Sequence, residues 1–134
     1  MSDNISKLII KFNRETVSGN IIWERSHRAV PLSLSGNEQL IGFSYVANVN
    51  NKMLQIYKFQ YRDYTDEDTY TWVEDIRLEF IDNLNHKTVY IFPYDRITHD
   101  LYASILYKTS GIDDFINDYL TQDELRDGNP DLPF

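Results

Sequence analysis

The sequence predicts an α+β fold: an antiparallel meander of four to five strands, with an N-terminal helix and two C-terminal helices packed on one face. Three observations predict it. Apolar residues recur at helical offsets near both ends of the chain, and at a period of two through the middle. The links between the central apolar runs are also too short for the dozen or more residues that a parallel crossover needs.

The first helix is read from DNISKLIIKFNRETVSG, where Ile5, Leu8, Ile9 and Phe12 share one face and Lys7, Lys11 and Arg14 lie on another. Ser2 or Asp3 caps its start and Ser18-Gly19 stops it, giving a helix over about 3–17. NIIWER then predicts a short strand, and the proline, glycine and serines of SHRAVPLSLSGNEQ predict a loop. Residues 40–62 predict a hairpin, its arms LIGFSYVANV and MLQIYKFQYR joined by a polar NNK.

TYTWVEDIRLEFID continues the meander, with Ile76, Leu78 and Phe80 on one face and Asp75, Arg77 and Glu79 on the other. The turn DNLNHK leads to TVYIFPY, which Pro93 ends because proline has no N–H for a ladder bond. Helical spacing returns at Ile97, Leu101 and Ile105, stops at Gly111, and resumes in IDDFINDYL with Asp113 and Asp114 at the positive end of the helix dipole. Residues 1–121 are read as one domain, and 122–134 as a loosely held acidic tail.

A chain of 134 residues, 42% hydrophobic and rich in Tyr and Phe, has enough apolar area to offset the entropy lost on ordering. With no cysteine, disulfides and thiolate chemistry are excluded, and no stretch approaches the ~20 apolar residues of a spanning helix. A cytoplasmic location without membrane contact is the expectation.

The net charge of −8 is unevenly spread. Residues 1–62 carry an excess of bases, whereas 63–75 hold six acids and no base, and 112–134 hold seven acids against one base. That distribution opposes nucleic-acid binding, which depends on Lys and Arg meeting phosphates, and favours a basic protein partner.

No catalytic motif is present: there is no nucleophile elbow, HExxH pair or glycine-rich phosphate loop. Ser26, His27 and Ser33 form only a serine-rich loop near a histidine, and His27, His86 and His99 have no shared metal-ligand spacing. Numbering Asp63 as the first position of a calcium loop places Glu74 at the twelfth, but Asp68 then occupies the sixth, where the turn demands glycine. No enzyme activity, cofactor or metal is therefore expected.

Trp23 and Trp72 are core pieces or exposed anchors, with core the default for Trp72, because large aromatics are more often buried than functional. Tyr64 and Tyr70, in contrast, flank the acids and form with them the candidate partner-binding set Asp63, Tyr64, Asp66, Glu67, Asp68, Tyr70 and Glu74. Tyrosine is enriched at interfaces, and carboxylates around it match Lys or Arg on a partner. The profile of a small, acidic, cysteine-free α+β chain without catalytic motifs resembles that of many bacterial immunity and inhibitor proteins. The resemblance implies a role covering a basic, nuclease-like toxin domain. A second expectation is an accessory subunit or homodimer assembled through an edge strand or the N-terminal helix, its acids serving solubility. A third is a ligand pocket between sheet and helices lined by Tyr45, Tyr57 and Tyr90.

Overall fold

The computed structural model describes residues 2–28, 30–120 and 124–125. Along the chain run α1 (Ser2–Ser18), β1 (Glu24–Arg25), β2 (Glu38–Val49), β3 (Lys52–Tyr64), β4 (Tyr70–Ile81), β5 (Thr88–Ile91), α2 (Ile97–Thr109) and α3 (Ile112–Tyr119). The five strands lie in the order β1-β2-β3-β4-β5, every neighbouring pair antiparallel. The predicted α+β meander is therefore the architecture observed. The expected acidic tail lies outside the described residues except for 124 and 125.

The helix α1 buries Ile9 and Phe12 and half-buries Ile5 and Leu8, the face read from its spacing, and buries Thr16 one turn further on. Thr16 donates its hydroxyl to the Phe12 carbonyl at 2.7 Å and accepts the indole N–H of Trp23 at 2.9 Å, so the buried tryptophan is satisfied. Gly19, at φ +88°, turns the chain out of the helix in a conformation that a side chain disfavours. Of the predicted strand over NIIWER only Glu24–Arg25 pairs with the sheet. Ile21 and Trp23 are instead buried as an irregular segment within the core.

The turn between β2 and β3 is Asn50-Asn51, with φ of 51° and 65°. Two positive values in a two-residue loop match the twist of the flanking strands, and asparagine tolerates them better than most residues. The register sets Tyr45, Ala47, Leu54, Ile56, Leu78 and Phe80 against the helices. Leu101, Tyr102 and Ile105 of α2 complete that core. Asp95 accepts the hydroxyl of Ser6 and the N–H of Ile97, and Ser104 donates to Asn13 at 2.6 Å, which ties α2 to α1. Helix α3 has no buried side chain; Tyr107 of α2 donates to its Asp113 at 2.8 Å.

The second face of the sheet is not left to solvent. The segment 31–38 lies across it: Pro31 is buried, and Ser33 reaches both Tyr57 and Glu79. The residues read as the polar side of β4 thus become a second interior.

Candidate functional site

β3 and β4 pair without interruption from Met53↔Ile81 to Tyr64↔Tyr70, so the hairpin end stands clear of the residues that α1 and α2 cover. The strand period of two puts Arg62, Tyr64, Tyr70 and Trp72 together on the helix-side face. Tyr64 and Tyr70 have ring centroids 5.3 Å apart, and Trp72 meets Tyr70 edge-on at 5.8 Å. These three side chains are 53%, 41% and 42% exposed, far more than the interior aromatics. Trp72 therefore departs from its default core assignment: its position does return to the sheet, but no helix among the described residues extends over that part of it. Trp23 is buried.

The acids divide into three groups. Asp66 accepts the backbone N–H groups of Asp68 at 2.9 Å and Thr69 at 3.0 Å, and these bonds hold its carboxyl below the usual pKa range. It shapes the turn. Glu74 pairs with Lys58 at 3.0 Å, and Asp75 accepts its neighbour's N–H from Ile76 at 2.7 Å. Among the described residues no ion pair reaches Asp63, Glu67 or Asp68, which stay exposed. Of the seven candidate residues, Asp63, Glu67 and Asp68 have no ion pair among the described residues, Tyr64 and Tyr70 are exposed beside them, Asp66 shapes the loop, and Glu74 pairs with Lys58.

Lys7, Lys11 and Arg14 form the exposed face of α1 and make no ion pair with these acids. Arg62 adjoins the acidic run in sequence yet also pairs with none of it. Its guanidinium carbon sits 5.0 Å from the Tyr70 ring centroid and 5.2 Å from that of Trp72, and Nη1 donates to the Tyr64 hydroxyl at 3.4 Å. Strand alternation explains the separation, because Asp63 points to the opposite face from Arg62.

Tyr45, Tyr57 and Tyr90 do not converge on a pocket. Tyr45 is buried under the helices, Tyr57 is buried on the other face of the sheet, and Tyr90 is half-exposed on edge strand β5. Tyr57 belongs instead to a polar chain that spacing alone did not reveal. Arg77 donates to the Tyr57 hydroxyl at 2.6 Å, Tyr57 lies 2.7 Å from Ser33 Oγ, and Ser33 lies 2.5 Å from Glu79. A guanidinium only donates and a carboxylate only accepts, so Tyr57 donates to Ser33 and Ser33 to Glu79. The buried Glu79 also accepts from Thr88 at 2.6 Å and Gln55 at 3.3 Å. This chain fastens segment 31–38 to the sheet.

A cavity of about 370 Å³ lies between that segment and the exposed aromatics, lined by Gly36, Asn37, Gln39, Arg62, Tyr64 and Trp72. Of these, sequence reasoning had marked only Tyr64 as a site residue. Comparison with protein-family models, curated proteins and solved structures finds no match to this chain.

Proposed function

We propose that the chain is a protein-binding module that engages a basic partner through the end of the β3–β4 hairpin. One observation carries the reading: Asp63, Glu67 and Asp68, without an ion pair among the described residues, share this end with the exposed rings of Tyr64, Tyr70 and Trp72. Carboxylates left unneutralised by the molecule's own cations steer a positive surface toward the hairpin, raising the association rate. Burial of the rings then slows dissociation. The finer form of the proposal is an inhibitor: acids that cover Lys and Arg on a nuclease-like domain deny those cations to substrate phosphates.

Replacing Asp63, Glu67 and Asp68 together by Asn, Gln and Asn leaves the Asp66 turn intact and tests the reading. Capture from native lysate is expected to yield a basic protein with the wild type, released by salt, and to lose it with the triple variant. For the captured partner, association is expected to slow at least ~10-fold with a flatter salt dependence. Partner kinetics indifferent to the three changes sink the proposal, and undiminished partner activity in the complex sinks its inhibitor form.

A specific observation supports the assembly reading as well. Strand β5 is a sheet edge on which Val89 is 68% exposed and Ile91 is also exposed, and apolar edge strands are templates for pairing. Light scattering separates the readings. A salt-insensitive dimer that Val89→Lys converts to monomer supports assembly through β5, and a monomer at all concentrations rejects it.

A further inference from the structure

We infer that the cavity between segment 36–39 and Trp72 is a carboxylate-binding site, with Arg62 as the charged donor and Asn37, Gln39 and Tyr64 as neutral donors. The inference is independent of a basic partner, because it rests on the cavity's hydrogen-bond inventory.

Each polar side chain of the lining has its accepting oxygen already engaged. Asn37 Oδ1 accepts the Ser35 hydroxyl at 2.7 Å, and Gln39 Oε1 accepts the Gln60 amide at 3.0 Å. Both Asn37 and Gln39 are left with an NH2 group that has no protein partner among the described residues. The Tyr64 hydroxyl accepts from Arg62, so its own proton is available to donate. Arg62 can only donate, and that one bond to Tyr64 uses a single N–H of its five.

The four groups therefore present free donors in excess, while each of their oxygens already accepts one bond, an arrangement that suits a ligand offering oxygens. Charge narrows the ligand. Among the described residues Arg62 has no carboxylate partner, while the neighbouring positions on the same sheet face, Lys58 and Glu74, neutralise each other at 3.0 Å. A planar carboxylate meets a guanidinium through two parallel bonds, which adds geometric specificity to the charge. The Trp72 ring supplies an apolar wall beside it. The volume, at the lower end of the range for small-molecule sites, admits a small acid or one residue of a peptide.

Placed beside the unpaired acids of the hairpin tip, such a site gives this end of the molecule adjoining patches of opposite sign. A partner carrying only bases satisfies one of them. A partner with a carboxylate next to its bases satisfies both, and its orientation is fixed by the order of the charges.

The test needs no partner. The full chain, labelled with ¹⁵N, is titrated with N-acetylglycine, with blocked aspartate (N-acetylaspartate α-methylamide), with N-acetylglycine amide, and with inorganic phosphate. Shifts are read at the Trp72 indole and the Arg62 Nε–H. Saturable shifts at both positions, in the millimolar range typical of so small a ligand, are expected for one or both carboxylates and not for the neutral amide. Response to N-acetylglycine alone assigns the source to a chain terminus or free acid, and response to blocked aspartate adds side-chain carboxylates. Arg62→Gln is expected to weaken binding at least ~10-fold, and the charge-matched Lys11→Gln on α1 to leave it unchanged. Shifts equal for acid and amide, shifts surviving Arg62→Gln, tighter binding of phosphate than of either carboxylate, or no shift overturn the inference. Because Asp63, Glu67 and Asp68 are left in place, each result is separate from the outcome for a basic partner.

Discussion

Arg77→Met is expected to lower the unfolding free energy by about 3 kcal/mol, at the low end of the range for removing one member of a buried ion pair. The guanidinium meets Glu38 through two bonds, at 2.9 and 3.1 Å, and also donates to Tyr57 at 2.6 Å and to the Ser33 carbonyl at 3.2 Å. It lies over the Phe59 ring at 4.4 Å from the centroid, and both charged side chains are nearly buried. Methionine retains the stem and its packing but offers no donor. A carboxylate, a phenol and a carbonyl are then left without the partner that justified burying them, which costs more than the bonds themselves contributed.

The same pair sets a pH dependence. The bond from Arg77, foremost among its causes, holds the Glu38 carboxyl below its ordinary value of 4.5. For Arg77 itself, burial opposes the charged form, and the bonds to Glu38 and Tyr57 outweigh it, leaving the pKa above the ordinary value. A carboxyl whose folded pKa is depressed binds protons less readily than in the unfolded chain. Its stabilisation is thus fully present above the unfolded value and is lost as pH falls through the folded one. Urea unfolding at pH 7 and through the range below 4.5 is expected to show the wild type and Arg77→Met converging as the acid is protonated. A loss below about 1 kcal/mol at pH 7 rules out a structural role for the pair beyond that of an exposed ion pair.

Leu101→Ala is expected to cost a similar amount, about 3 kcal/mol, for an unrelated reason. Leu101 is fully buried in the cluster that joins α2 to Ile9, Phe12, Leu78 and Phe92. Truncation removes transfer free energy and leaves a void that helices on one side and a sheet on the other can fill only in part. Thermal unfolding should drop by roughly 10 °C for a domain of this size. Leu106→Ala, on the half-exposed side of the same helix, is the comparison, expected to lose less than about 1 kcal/mol. Equal losses at the two positions contradict the burial assigned to α2.

The elements that were legible in the sequence are those whose periodicity was long and uninterrupted. Ile5, Leu8, Ile9 and Phe12 declare the buried stripe of α1, and Ile76, Leu78 and Phe80 declare the inner face of β4. NIIWER misled because Ile21 and Trp23 are buried without strand pairing beyond Glu24–Arg25, and an apolar run of that length carries no period of its own. Trp72 misled for the opposite reason. Its place in the strand was readable, but its exposure depends on where α1 and α2 end above the sheet.

At the hairpin tip, the clustering of six acids was visible as spacing, yet their roles were not. Asp66 bonds its own loop, and Glu74 meets Lys58 on the adjacent strand, whereas Asp63, Glu67 and Asp68 meet no cation among the described residues. Arg62 stands one position from Asp63 and faces the other way. Such differences follow from cross-strand register, which relates residues far apart in number and is not encoded by any local count.

By itself, then, the sequence determined the order of helices and strands, the antiparallel meander, the inward faces of α1 and β4, and the crowding of negative charge at one end. These depend on local periodicity, turn residues and the short reach of connecting links. Only the tertiary structure decided that segment 31–38 closes over Tyr57 and Glu79, that Trp72 stays in solvent, and that Asn37, Gln39, Arg62 and Tyr64 meet around one cavity. The physical reason is that burial and hydrogen-bond partnership are set by which distant segments the folded chain brings together.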